Sequence, residues 1–470
     1  MDLSHTFFSG IAGTGMSALA QYLAFQGRHV SGSDRSLDRG EEAPKRAYFE
    51  SLGMRLFPQD GSGLAGVTCL VVSTAIESEH PEVKKARELG VPVVHRSDLL
   101  LELAGERKTL AVSGTSGNST VTGMLYHVLD AGGLEPSVIT GANLLSLQAQ
   151  GLLGNARAGK GEWLVMEADE SDGTLVKYAP EIGIILNVEK DHKEVEELLP
   201  IFRTFRDRIK GMAVLNGLDP HCRDLARPAD LLFHPAAAPD GPVEDLRLGD
   251  WDSRFTVGGT GFHLRVPGRH NVANAMAALT TGRAMGISLE ACARGLGEYR
   301  GVERRHVRIG ESGGVTVVDD FAHNPAKVKA CLETVKSGPS GGQAPPARRR
   351  VLAVFHPHGF APMKLMGHDL VRSLLETLDG QDRVFMPEIY YAGGTADKSI
   401  SSADLVAEVN SAKPIGRFLA TKDEVIAALA AEARPGDWIV SMGARDPALG
   451  RFAEKILAAL RARPDSPNPA

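Results

Sequence analysis

Residues 109–125 place a short apolar run, "TLAV", ahead of Gly114, Thr115, Ser116, Gly117, Asn118, Ser119 and Thr120, and a helical pattern follows. Backbone N–H groups at the start of such a helix, with hydroxyls beside them, are the groups that cradle phosphate. A generic phosphate loop reads G-x-x-x-x-G-K-[ST]. Gly117 fits its second glycine, Val112 stands at the first, and Asn118 replaces the lysine. On that pattern alone the match is poor. Downstream, "VMEADESDGTL" sets Glu167, Asp169, Glu170 and Asp172 just after an apolar run, and "IILNVEKDH" sets Asp191 and His192 at the end of the next. Acids at the carboxyl ends of parallel strands, facing a glycine loop, are where magnesium and a nucleotide would sit. A solvated acidic loop is the alternative.

A second glycine cluster stands near the start. "FFSGIAGTGMSALAQYLAFQGRHVSGSD" brings Gly10, Gly13 and Gly15 after a short strand, then Met16, Leu19, Ala20 and Leu23 at helical spacing. Gly27 suits a helix C-terminus. A second strand ends at Asp34. Strand, glycine turn, helix and a later acid form a nucleotide site of the βαβ kind, with the acid on a ribose. A dinucleotide such as NAD or FAD, and hence an oxidoreductase, is one reading; a glycine turn with no ligand is another.

The elements around these loops are short β-branched runs at 6–8, 68–73, 91–94, 109–112, 163–166, 182–188, 351–355, 384–386 and 438–441, separated by helical patterns. That alternation predicts an α/β protein with mainly parallel sheets. A chain of 470 residues exceeds one ordinary core, so two to four domains are expected, with three the leading count. A net charge of −6 argues against nucleic acid as a partner. No apolar run is long enough to span a membrane. The four cysteines, Cys69, Cys222, Cys292 and Cys331, lack metal or disulfide spacing, which fits a reducing cytoplasm. A homodimer is one open oligomeric state. The stretch 337–350, rich in Gly, Pro and Ser and ending in three arginines, reads as a surface loop, and 461–470 as a frayed tail.

Taken in order, "GIAGTGMSALA", "VSGSD", "STAI", "SGTSGNST", "EADESD", "NVEKDH", "GRHNVANAMAAL", "GVERR", "VDDFAHNP" and "HPH" resemble the Mur ligases of peptidoglycan synthesis, nearest to the alanine-adding members. The resemblance covers nearly the whole chain. It implies a three-domain fold: a Rossmann-like N-terminal domain at about 1–105, a P-loop-type central ATPase domain at about 106–300 and a Rossmann-like C-terminal domain at 301–470. It implies an ATP- and Mg2+-dependent ligase that activates UDP-N-acetylmuramate as an acyl phosphate and joins it to an amino acid. By motif, Gly10, Gly13, Gly15, Asp34 and Ser73 would bind the UDP-sugar. Gly114, Thr115, Ser116, Gly117, Asn118, Ser119 and Thr120 would hold the ATP phosphates, and Asn271 and Asn274 the adenine. Ser119, Glu167 and His192 would hold metal. Asn118, Glu167, His192, Arg305 and Asp320 stand at catalytic positions, and His323 and His358 at the amino-acid site. Alternatives within the resemblance are a ligase that recycles ready-made peptides, and a UDP-sugar-binding protein that has lost turnover.

Two departures from the family stand out. The family has lysine where this chain has Asn118. Losing one transition-state donor costs on the order of 3–4 kcal/mol, or roughly 10²–10³ in rate. The alanine-adding members also carry arginine after "PH", whereas Gly359 follows His358 here and Lys364 is the nearby cation. Lysine is a point charge and does not replace a guanidinium fork on a carboxylate. Asn324 follows His323 where the family has a second histidine.

Overall fold

β1 (His5–Ser9), β2 (His29–Ser33), β3 (Arg55–Phe57), β4 (Cys69–Val72) and β5 (Val93–His95) form the first sheet, in the order β3-β2-β1-β4-β5. All its pairings are parallel. The strand order reverses between β1 and β4, so the loops after these two strands flank a crevice. In a computed structural model the described residues are 1–170, 173–190, 193–236, 240–339, 349–391, 397–444, 446 and 448–463.

The second sheet holds β6 (Lys108–Ser113), β7 (Ser137–Ile139), β8 (Ala156–Arg157), β9 (Trp163–Glu167), β10 (Ile182–Ile185), β11 (Met212–Asn216) and β12 (Leu231–Phe233), in the order β12-β11-β10-β6-β9-β7-β8. Only β8 runs antiparallel to its neighbour. β6 lies between β9 and β10, so the loop after it opens where the connections diverge. Three short strands, β13 (Glu244–Leu248), β14 (Ser253–Val257) and β15 (Thr260–Leu264), precede the helix Arg269–Ala284 in sequence.

The third sheet comprises β16 (Val307–Ser312), β17 (Val315–Asp320), β18 (Val351–His356), β19 (Arg383–Met386), β20 (Gly416–Phe418) and β21 (Trp438–Gly443), in the order β16-β17-β21-β18-β19-β20. β17, β18 and β21 are buried at every residue, as befits central strands covered on both faces. Apolar clusters lie on either side, one holding Phe355, Leu370 and Val409, the other Val317, Ile439 and Phe452.

The chain separates into two compact units. The first comprises Met1–Glu244, Thr256–Leu264 and Val272–Val302; the second comprises Asp245–Phe255, Arg265–Asn271 and Glu303–Ala470. Within the first unit, one apolar cluster holds Phe8, Leu19 and Leu103 together with Ala111, Met166 and Phe202, so the first two sheets share a core. A buried polar network joins them as well. Asn155 Nδ2 donates to Thr14 O at 2.8 Å and to Ser17 Oγ at 2.9 Å, and its Oδ1 accepts from Gln21 Nε2 at 2.7 Å.

The α/β class and mainly parallel sheets expected from the sequence are present. The run at 182–188 stops pairing at Ile185, because the residues after it turn to bind the glycine loop. The expected surface loop at 337–350 is different at its end. Arg349 pairs with Asp250, and Arg350 pairs with Glu432 and Asp437, so both are structural. Residues 340–348 lie outside the described residues, as do 464–470 of the expected tail. The four cysteines are free and buried. Among the described residues no helix is long and apolar enough to cross a membrane.

Candidate active site

β6 ends at Ser113, and the chain reaches the helix Asn118–Ala131 through Gly114, Thr115, Ser116 and Gly117. Gly117 caps this helix with φ +90°, and a Cβ there would lie 3.0 Å from Asn274 Oδ1. Glycine is thus needed for both the left-handed turn and the close approach. The same contact puts Asn274 beside the loop.

The loop is laced to the segment after β10. Thr115 Oγ1 donates to Asn187 Oδ1 at 2.8 Å, and Ser116 N donates to the same oxygen at 2.8 Å. Asn187 Nδ2 returns a bond to Ser116 O at 3.0 Å, and Glu189 N donates to Thr115 Oγ1 at 3.0 Å. Asn187 stands in the "NVEKDH" motif, yet its role could not be read from residue type, because an asparagine after a strand is ordinarily a turn residue.

Ser119, on the first turn of the helix, donates its hydroxyl to both oxygens of Glu167 at 3.0 Å. Glu167 ends β9, and it also accepts from Thr140 Oγ1 at 2.9 Å and Gly141 N at 2.8 Å. A hydroxyl and a carboxylate meeting at the start of a phosphate-type helix are hard oxygen donors, the set that magnesium prefers. His192, expected as their partner, lies outside the described residues, as do Asp172 and Asp191.

Asn118 does not extend from the loop. Its Nδ2 donates to Gly114 O at 2.6 Å, closing the loop on itself. Its Oδ1 is buried with no hydrogen-bond partner among the described residues. An orphaned buried acceptor invites a donor. The amide of Asn118 is thus turned back onto the loop backbone.

In the first sheet Gly10 has φ +83°, and its N–H and that of Ile11 donate to Ser33 O. Gly13 caps the helix Thr14–Phe25, and a Cβ on Gly15 would lie 2.5 Å from Arg96 Nη1. Asp34 accepts from Ala12 N at 3.0 Å and from Ser36 N at 2.9 Å, so in the structure it braces the glycine turn. Ser73 follows β4 at the reversal point and is half-buried. Sequence reading missed Glu82. It is fully buried, its carboxylate accepts from Ser9 and Ser33 at the ends of β1 and β2, and burial pushes its pKa up.

The second unit carries the other expected residues. Asp320, at the end of β17, accepts from His306 N and Ala322 N at 2.7 Å each. Arg305 lies over the Phe321 ring at 5.0 Å. His323 and His358 bring their rings to 5.5 Å, edge to face. Asn324 caps the helix Pro325–Ser337 through Lys327 N, the ordinary use of asparagine there. Lys364 is paired with Asp397. Asn271 belongs to this unit and donates through Nδ2 to Pro267 O at 2.7 Å.

A parallel sheet with a glycine loop at its divergence point, a serine–glutamate oxygen pair beneath the loop, and a second glycine turn on a Rossmann-like sheet define a nucleotide-dependent α/β protein of several domains. Comparison with known proteins names the family. Residues 5–108 match the "Mur ligase family, catalytic domain", 112–282 the "Mur ligase middle domain", and 304–445 the "Mur ligase, glutamate ligase domain". The chain belongs to the Mur ligase family. It is 36% identical to the UDP-N-acetylmuramate--L-alanine ligase of Pelotomaculum thermopropionicum, across 94% of this chain and 95% of that protein. Its fold is similar to that of the UDP-N-acetylmuramate-alanine ligase of Thermotoga maritima, with a TM-score of 0.75 and 23% identity over 97% of this chain and 98% of the other. The murein peptide ligase of Psychrobacter arcticus follows, with a TM-score of 0.67 and 21% identity over 97% and 98% of the two chains.

Proposed function

We propose that this chain joins L-alanine to UDP-N-acetylmuramate at the expense of ATP, in the cytoplasm, as a step of peptidoglycan synthesis. The observation that carries the site assignment is the Ser119 hydroxyl on the Glu167 carboxylate at 3.0 Å, at the start of the glycine-loop helix. The naming of the relative that spans 94% of the chain supports the substrate choice. A peptide acceptor has weaker support, because the peptide ligase is similar only in fold. Membership of the family displaces the oxidoreductase reading.

The division of labour we propose is 1–105 for the UDP-sugar, 106–300 for ATP and 301–470 for the amino acid. Gly10, Gly13, Gly15, Asp34 and Ser73 line the sugar-nucleotide site. The glycine loop, Gly114 to Thr120, holds the phosphates, and Asn274 with Asn271 serves the adenine. In the first step a muramyl carboxylate oxygen bonds to the γ-phosphorus while the bond to the β,γ-bridging oxygen breaks, and ADP leaves with the electron pair. Ser119, Glu167 and His192 are the residues that would hold magnesium, which when bound offsets charge on the phosphate oxygens. In the second step the alanine amine attacks the acyl carbon, loses a proton, and phosphate leaves. Arg305, Asp320, His323 and His358 serve this acceptor side.

The test is phosphate release from UDP-N-acetylmuramate, ATP and magnesium with a panel of amino acids, with the product identified by mass. L-Alanine should give the UDP-N-acetylmuramoyl-alanine mass, with weak saturation because position 359 carries no arginine. No phosphate release with any amino acid or peptide would sink the ligase reading.

A further inference from the structure

We propose that Lys190 supplies, from the neighbouring loop, the positive charge on the terminal ATP phosphates that Asn118 no longer provides. The proposal rests on the ligase reading. Its first support is that Asn118 Nδ2 is committed to Gly114 O at 2.6 Å and carries no charge. Turnover would otherwise lack a cationic donor from the glycine loop itself.

The second support is the lacing of the segment after β10. Asn187 binds Thr115 and Ser116 through both ends of its amide, and Glu189 N sits 3.0 Å from Thr115 Oγ1. Lys190 is the next residue, one Cα step of about 3.8 Å further on. Its four-carbon stem gives the ammonium a reach of roughly 6 Å, enough to return over the loop to which its neighbour is bonded. A lysine acts as a point charge and needs no fixed fork, so it can work from a different strand end than the usual one.

The third support is its present partner. Lys190 Nζ lies 2.8 Å from Glu194 Oε1, an i,i+4 pair whose side chains are 31% and 48% exposed. Such a pair is worth roughly 0–1 kcal/mol. A polyanion can therefore compete with Glu194 for the ammonium. As the γ-phosphoryl moves to the muramyl carboxylate, charge grows on the β,γ-bridging oxygen of departing ADP. The ammonium stabilises that charge by hydrogen bond and Coulomb attraction and transfers no proton.

The experiment uses the full chain with Lys190→Ala, Asn118→Lys, the double variant, and Lys193→Ala as a control lysine close by in sequence. Turnover is measured under saturating substrates, and calorimetry gives affinities for ATP with magnesium and for AMP. Lys190→Ala should lower kcat roughly 10²–10³-fold. It should weaken ATP about tenfold and leave AMP unchanged, because AMP lacks the terminal phosphates. Lys193→Ala should change neither. Asn118→Lys should restore turnover to Lys190→Ala, which a merely structural lysine would not allow. The proposal is overturned if Lys190→Ala matches the wild type in turnover and in ATP affinity, or if the double variant is no better than Lys190→Ala. Should the wild type bind ATP without turning over any acceptor, the ligase reading fails while the ATP-to-AMP comparison still decides Lys190. A wild type that binds no ATP removes both.

Discussion

Single residues at the two glycine loops show what type and spacing can and cannot reveal. Ser119 and Glu167 were singled out by the resemblance to the Mur ligases and not by residue type, which left a solvated acidic loop open; the fold brings the two together. Asn118 was legible as a departure, but its folding back onto Gly114 was not, since an asparagine side chain can serve backbone or ligand equally well. Glu82 was hidden because it sits on a helix rich in charged residues, and only the fold buries it against Ser9 and Ser33. Asp319 beside the expected Asp320 is similar. It is buried, Arg304 Nε reaches one oxygen at 3.0 Å, and the other oxygen has no partner among the described residues. Burial outweighs the arginine and pushes its carboxyl up to about 6. A raised folded value means the native state holds the proton longer than the unfolded chain, whose aspartate titrates near 3.9. The contribution of Asp319 to stability is therefore full below about pH 4 and is lost as pH rises through about 6. The stability difference between wild type and Asp319→Asn should shift against the wild type by about 2–3 kcal/mol from pH 4 to pH 7. Urea denaturation at both pH values measures it; a pH-independent difference would refute the assignment.

At the scale of elements, the strands that could be read were the continuous apolar ones buried on both faces, such as β6, β9, β10 and β18. β7, β11 and β17 were missed although largely buried, and so were β3, β8 and β20, which are two or three residues long and mostly exposed or half-buried. The pairing of the latter three is set by the sheet around them and not by their own pattern. The polar part of the link between the first two sheets was equally invisible, because it depends on Asn155, a polar residue in a loop. In the fold Asn155 is fully buried, and it binds the backbone of Thr14 and the side chains of Ser17 and Gln21, all on the helix that opens at the first glycine turn. Tyr48 extends the network by donating to Gln21 Oε1 at 3.0 Å. Asn155→Ala would strand buried donors and acceptors, at about 1–3 kcal/mol for each group left unsatisfied. We expect a loss of about 2–4 kcal/mol in chemical denaturation and weaker UDP-sugar binding, because the helix bearing the glycine turn loses its anchor. Asn155→Ala with unchanged stability would show that the network is solvated and not structural.

At the scale of the whole molecule, each unit holds a buried histidine whose charge is unwelcome. In the first unit His127 follows the glycine loop on the helix Asn118–Ala131. Burial, aided by Arg157, lowers its pKa to about 4, and its Nε2 lies 2.7 Å from Ser146 Oγ. In the second unit His356 ends β18. Burial, then Lys422 and Arg304, lowers its pKa to about 3 against the pull of Asp446, and neither ring nitrogen has a partner among the described residues. Both values are depressed, so both histidines contribute stability that is full above the unfolded pKa near 6.5 and is lost as pH falls toward the folded value. Asp319 has the opposite sign, which partly offsets His356 within the second unit between about pH 4 and 6. A difference measurement separates them. His356 makes no hydrogen bond among the described residues and packs edge-on against Phe452 at 4.6 Å, so His356→Leu should be nearly neutral at pH 7. At pH 5 the variant should be more stable than the wild type by about 2 kcal/mol, the cost of a histidine kept neutral some 1.5 units below its unfolded pKa. Trp251 and Trp438, stacked at 5.1 Å, both lie in the second unit and report its unfolding by fluorescence. If His356→Leu gains nothing on going from pH 7 to pH 5, the ring is already charged in the native state. The C-terminal end of β18 would then hold a cation where this structure places a neutral imidazole.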